Sequence, residues 1–292
     1  MKTIAVYHNK GGVGKTTTVV HLAATLAKKG YQVLIIDLDS QANTTFATGL
    51  VKFVDEEHDT IRDNNVSHLL ESRTLPITEV IRVATYNTPA VSVIPAHIMI
   101  MGQERIIADT SPAHIRLRNK LKDVTDFYDY VLIDTPPSLN IYAKIALLTA
   151  DYLLIPSDMK PFANQGLHNV KRFIEDTNED RETRSISPLQ VLGVLPSKVS
   201  TNPKYLEFTF PSRRQIVTNK YGFNVLESYI SQREILSKTL EQETTIGNLE
   251  SISDPRSIFD YQTQNHGEKQ ALEQAIEEFN TLANEVIYLT ND

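Results

Sequence analysis

Lys10-Gly11-Gly12-Val13-Gly14-Lys15-Thr16-Thr17 stands between an apolar run, Ile4-Ala5-Val6-Tyr7, and apolar residues at helical spacing, Val19, Leu22, Ala23, Leu26 and Ala27. Strand, glycine loop and helix start, in that order, are the setting of a phosphate-binding loop. Gly11, Gly12, Val13 and Gly14 can turn their backbone N–H groups toward phosphate oxygens, and the following helix N-terminus adds its positive dipole end. Lys15 then supplies an ammonium for the β- and γ-phosphates, the Thr16 hydroxyl a ligand for Mg²⁺, and Thr17 a contact to the α-phosphate. The ordinary pattern has glycine where this chain has Asn9, and this loop carries a second lysine at its front, Lys10. A loop already served by Lys15 does not need Lys10 for its own phosphates.

Working outward, the chain alternates between strand-like and helix-like patterns, as an α/β doubly wound, mostly parallel sheet with helices on both faces requires. Apolar runs at 32–37, 129–134, 152–156, 190–195 and 225–230 read as strands buried on both sides. Gly30 sits where the first helix should stop. From Gly267 to Leu289, apolar residues recur at Ala271, Leu272, Ala275, Ile276, Phe279, Leu282, Ala283, Val286 and Ile287, predicting a long amphipathic helix. Residues 51–75 read as a polar surface excursion with a short helix, 200–222 as helical spacing broken by Pro203 and Pro211, and 243–266 as an irregular crossing. One domain spanning 1–292 is expected.

Two strand ends carry carboxylates. Asp134 closes Val131-Leu132-Ile133-Asp134, a hydrophobic run with a terminal acid that can hold Mg²⁺ through a bound water. Asp37 and Asp39 close the earlier strand in Asp37-Leu38-Asp39-Ser40-Gln41. Ligands of doubly wound sheets bind beyond such carboxyl ends. The eight histidines show no ligand spacing.

Composition sets the remaining bounds. The 292 residues carry a net charge of −7, no cysteine, and no apolar run of bilayer length. The N-terminus reads straight into the first strand, so no signal peptide is expected. Missing thiols fit a reducing cytoplasm. Net negative charge argues against coating nucleic acid through overall charge, so any DNA contact needs a local patch. One exists: between Lys198 and Lys238 there are seven basic residues against three acidic ones. Arg213, Arg214, Lys220, Arg233 and Lys238 are its candidate contacts.

The K-G-G-x-G-K-T-T loop, the Asp37–Gln41 segment, Val131–Pro137, Ala150–Pro156, Gln165-Gly166-Leu167 and Gly193-Val194-Leu195 together resemble the ParA/MinD family of deviant Walker A ATPases, in its short type. That resemblance implies ATP and Mg²⁺ as cofactors, and slow, partner-stimulated hydrolysis. It makes Lys10, Lys15 and Asp39 catalytic: Lys10 reaches across a homodimer to the neighbour's nucleotide, and Asp39 positions the attacking water. Thr16, Asp37, Asp39 and Asp134 become the metal residues. Serine replaces the family's proline at position 40, which should loosen that backbone slightly.

The resemblance further implies non-specific double-stranded DNA and a ParB-like or other adaptor as partners, no membrane, and a cytoplasmic, nucleoid-associated location. The iron protein of nitrogenase shares the loop but needs cysteine thiolates, and is excluded. The guanine motif Asn-Lys-x-Asp is missing its aspartate at Pro196-Ser197-Lys198-Val199-Ser200, so adenine is expected, through backbone contacts near Pro196, Ser197 and Lys198. A MinD-like membrane ATPase and a synthetase of the cobyrinate or dethiobiotin type are the alternatives. The acidic last helix, with Glu273, Glu277, Glu278 and Glu285, disfavours the first.

Overall fold

The computed structural model describes residues 1–50, 59–98, 107, 113–246 and 250–291. Strand β1 (Lys2–Val6) runs into the glycine loop and helix α1 (Lys15–Lys28). Gly30, at φ 93°, adopts the left-handed turn that ends α1 where the sequence predicts. Then follow β2 (Val33–Asp37), α2 (Asn43–Ala47), α3 (Val66–Glu71), α4 (Ile77–Val80), β3 (Arg82–Ala84) and β4 (Val91–Ile94). Next come α5 (Ala113–Leu121), β5 (Tyr130–Asp134), α6 (Ile141–Thr149), β6 (Tyr152–Ser157), α7 (Pro161–Thr183) and β7 (Gln190–Pro196). The chain continues with α8 (Phe210–Ile216), α9 (Ile235–Leu240), β8 (Glu243–Ile246), β9 (Glu250–Ser253) and α10 (His266–Leu289).

Seven strands form one sheet in the order β3-β4-β2-β5-β1-β6-β7, parallel except for the antiparallel edge strand β3. Side chains along each strand alternate between two cores. Ile4, Val6, Ile35 and Leu132 face α1 and α10, where Leu22, Leu26, Phe279 and Leu282 are fully buried. Ala5, Tyr7, Ile36 and Ile133 face the opposite layer, packed on Leu69, Leu117, Ile145 and Leu167. Each such aliphatic side chain contributes about 2 kcal/mol by leaving water. That double burial is why the strands read as unbroken apolar runs.

Four details differ from the sequence expectation. Residues 225–230 do not form a strand; Val225 makes a single bridge to Val194 of β7, and just beyond, Ser231 bridges Val199. Pro203 and Pro211 do not break the segment between them. Two wide-turn stretches, Tyr205–Thr209 and Val217–Tyr221, flank α8, and Pro211 sits in its first turn, where a missing N–H costs least. The crossing after 243 contains the β8–β9 hairpin. The short strands β3 and β4 are additions to the strands expected from the sequence. The expected excursion at 51–75 falls partly outside the described residues; α3 lies in the rest of it.

Candidate nucleotide site

Pairing registers bring three strand ends together. Val6 of β1 and Asp37 of β2 both stand opposite Asp134 of β5. The glycine loop therefore hangs directly over two carboxylates. Gly12 (φ 72°) and Gly14 (φ 89°) take left-handed conformations that a side chain would strain. Helix α1 begins with no side-chain cap and no acid in its first turn. Its N-terminus is thus left open to an anion.

Lys15 is buried, with Nζ donating to the Lys10 carbonyl at 3.2 Å. Burial pushes its pKa down, opposed by Asp134 and Asp39. Thr16 Oγ1 donates to Asp134 Oδ2 at 2.7 Å, and Thr44 Oγ1 donates to the same oxygen at 2.6 Å. The other Asp134 oxygen accepts the Thr135 N–H. Asp134 thus sits behind the Thr16 hydroxyl, fully buried, suited to bind a cation through an intervening water. Burial raises its pKa, as it does for Asp39. For Asp37, burial and then the Asp134 charge push the pKa up to about 8. Three neighbouring buried carboxyl groups, all with raised pKa values, have Lys15 as their nearby cation, and a divalent cation would stabilise their charged forms.

Asp37 is bonded within its own loop. Its Oδ1 accepts the Asp39 N–H at 3.0 Å, and its Oδ2 accepts both the N–H and the hydroxyl of Thr45, at 2.9 and 2.8 Å. Those bonds hold the loop around Asp39 in shape. Asp39 itself is buried and accepts the Gln41 N–H at 3.0 Å. Ser40 leaves this turn intact.

The Lys10 side chain reaches the turn that follows β6. Its Nζ meets Asp158 Oδ2 at 3.2 Å and lies 5.5 Å from the centre of the Phe162 ring. Its N–H donates to His8 Nδ1, and burial, then Lys15 and Lys10, lower the His8 pKa to about 4. Helix α7 presses on this turn at Gly166, where an added Cβ would stand 2.6 Å from Asn9 Oδ1 and 2.8 Å from His8 Cε1.

Beside Gly14 opens a cavity of about 280 Å³, lined by Thr17 and Thr18 of α1, by Ser197 and Lys198, and by the turn 230–237. Ser197 Oγ donates to the Val13 carbonyl at 2.6 Å, tying this wall to the loop. Of the three residues expected to contact the base by their backbone, Pro196 does not line the cavity. Its carbonyl accepts the Ile230 N–H, and the Ser197 N–H is spent on the Ser157 carbonyl.

The expected basic patch is divided. Arg213 lies over the Tyr205 ring and Lys220 over the Tyr221 ring, with no carboxylate partner among the described residues. Arg214 pairs with Glu227, Arg233 with Glu278, and Lys238 with Glu234 and Glu268. The last two are therefore held against α10, not assembled into a free cationic face.

Sequence reasoning missed Thr44, Asp158 and the turn 230–237. Thr44 follows the acidic strand end closely enough that its hydroxyl could have been flagged. The other two carry no local signal, because their partners lie far along the chain.

A family model described as an AAA domain matches residues 1–186. The sporulation initiation inhibitor protein Soj of Bacillus subtilis is 36% identical over 196 residues, covering 66% of this chain and 71% of that protein. The virulence plasmid ParA family protein pGP5-D of Chlamydia psittaci is 30% identical over 255 residues, 85% and 87% of the two chains. Among solved structures, Cyanothece McdA in complex with ATP superimposes with a TM-score of 0.72 at 18% identity, over 98% and 96% of the two chains. Cobyrinic acid a,c-diamide synthase from Mycobacterium smegmatis, with bound ATP analog and magnesium, gives 0.68 at 25% identity, over 80% and 88%.

Proposed function

Since the chain belongs to the ParA family of P-loop ATPases, we propose that it is an ATP-dependent dimerising switch that binds DNA without sequence preference and positions a cargo. The observation that supports this reading best is that Lys10 Nζ pairs with Asp158, beyond the end of β6, whereas Lys15 Nζ folds back onto the Lys10 carbonyl within the loop. Across a dimer interface its charge would offset repulsion between facing triphosphates and stabilise charge developing during hydrolysis.

The loop residues 11–17 hold the triphosphate, with Lys15 on the β- and γ-phosphates. Thr16 and Asp134 would hold Mg²⁺, which neutralises the phosphate oxygens. Asp39 orients the attacking water, and Asp37 holds the loop that carries Asp39. The base lies in the cavity beside Gly14, and adenine is favoured because the guanine-reading aspartate is absent.

Arg213 and Lys220 lead the DNA contacts, because their charges are not already paired. Dimerisation doubles the phosphates neutralised and makes binding dependent on ATP and salt. An adaptor protein stimulates hydrolysis and links the switch to its cargo, in a cytoplasmic, nucleoid-associated setting. Among the described residues no helix is long and apolar enough to cross a membrane, and the carboxylates of α10 would repel anionic lipid.

A synthetase acting on a small carboxylic acid is the second reading, favoured by the likeness to cobyrinic acid a,c-diamide synthase. Sedimentation with and without ATP and random duplex DNA separates the two. A dimer that forms on ATP and then binds DNA supports the switch. A species that neither dimerises nor binds DNA supports the synthetase.

A further inference from the structure

The wall of the base cavity formed by 230–237 has two anchors. Toward the sheet, Ile230 N donates to the Pro196 carbonyl and Gln232 N to the Val199 carbonyl, each at 2.8 Å. Toward the last helix, Ser231 and Arg233, both lining the cavity, converge on one carboxylate of α10. Glu278 accepts the Ser231 N–H at 2.9 Å, the Ser231 hydroxyl at 2.6 Å and Arg233 Nη2 at 2.8 Å. Arg233 Nη1 donates to Gln274 Oε1, one turn earlier on the same helix. The Arg233 and Glu278 side chains are 14% and 15% exposed, so each charge depends on the other. Arg233 also borders a second cavity of about 280 Å³, between 227–229 and α10. Arg233 therefore borders both spaces, and Glu278 holds its guanidinium in place.

We propose that Glu278, on the C-terminal helix, is a positioning residue for the nucleoside end of the nucleotide site. This inference rests on the reading that the base occupies the cavity beside Gly14. Without the carboxylate, Ser231 loses two bonds and Arg233 keeps a half-buried charge with no counter-ion. The guanidinium then turns toward whichever cavity hydrates it, and the base loses a preformed wall. The phosphate loop has no contact with Glu278, so the effect falls on nucleoside recognition and spares triphosphate binding.

Titration calorimetry with MgATP and with magnesium tripolyphosphate, which has no nucleoside, tests this on the full chain. Wild type should bind ATP more tightly than tripolyphosphate. Glu278→Ala should weaken ATP about tenfold while leaving tripolyphosphate within about twofold, and Glu278→Gln should recover part of the loss. An equal loss for both ligands, or an unchanged ATP affinity, overturns the proposal. If Glu278→Ala does not fold, Ser231→Ala decides the matter: ATP alone weakened several-fold supports it, and no change overturns it. A wild-type protein with no preference for ATP over tripolyphosphate would instead overturn the base-cavity reading from which the inference starts.

Discussion

Lys10 and Asp158 lie 3.2 Å apart, side chain to side chain, although 148 residues separate them along the chain. Asp158 follows the carboxyl end of β6, and Phe162 in the first turn of α7 covers the same ammonium from its ring face. The front lysine is therefore held at the rim of the site by its own subunit. The pair is partly solvated, worth at most about 1 kcal/mol, and a facing triphosphate can displace Asp158.

Lys10→Ala should keep nucleotide affinity within about threefold and lose ATP-driven dimerisation. Sedimentation velocity with a non-hydrolysable triphosphate, together with a binding titration, checks both halves. Normal dimerisation in this variant would remove the trans role of Lys10.

Asp39→Ala should bind ATP and dimerise, yet hydrolyse about a hundredfold more slowly, because only water orientation is lost. The dimer should then persist on DNA. Phosphate release and DNA co-sedimentation measure the two effects, and an unimpaired hydrolysis rate would assign water orientation elsewhere.

Gly166→Ala should destabilise the chain by about 1–3 kcal/mol and weaken ATP binding with it. The new Cβ meets His8 and Asn9 at under 3.0 Å, and His8 is fully buried. Thermal melts and ATP titration should move together; a wild-type melt would show that α7 can withdraw freely.

Arg213→Glu and Lys220→Glu should each reduce DNA affinity and flatten its salt dependence, leaving dimerisation intact. Arg233→Glu should instead perturb ATP binding, because its charge is bound to α10. Binding to random duplexes at several salt concentrations distinguishes them. Equal DNA defects at all three positions would restore a single continuous patch.

Stability should fall on the acid side through His21. This side chain is fully buried against Phe279, with Nε2 facing the Leu236 carbonyl, and burial lowers its pKa from 6.5 to about 4. Below 6.5 the unfolded chain takes the proton first, so stability present above pH 6.5 is lost as pH falls toward 4, by up to about 3 kcal/mol. Denaturant melts between pH 4 and 7 should show this slope, and His21→Leu should reduce it. An unchanged slope would place the acid sensitivity in other groups, such as His8, also lowered to about 4.

The glycine loop, the open start of α1, the stop at Gly30, Asp134 at its strand end and the apolar face of α10 were all legible in the sequence. Each depends on neighbours within a few residues, where φ preferences, missing side chains and side-chain periodicity act locally. Tertiary structure alone decided that Asp37 spends its oxygens on Asp39 and Thr45, that Thr44 shares Asp134 with Thr16, and that Lys10 rests on Asp158. It also decided that Arg233 and Lys238, alike in sequence to Arg213 and Lys220, are paired with α10. A charge written in a sequence carries no partner with it. Partners follow from how helices are laid on the sheet, and that is set by the sum of many weak apolar contacts between segments far apart in the chain.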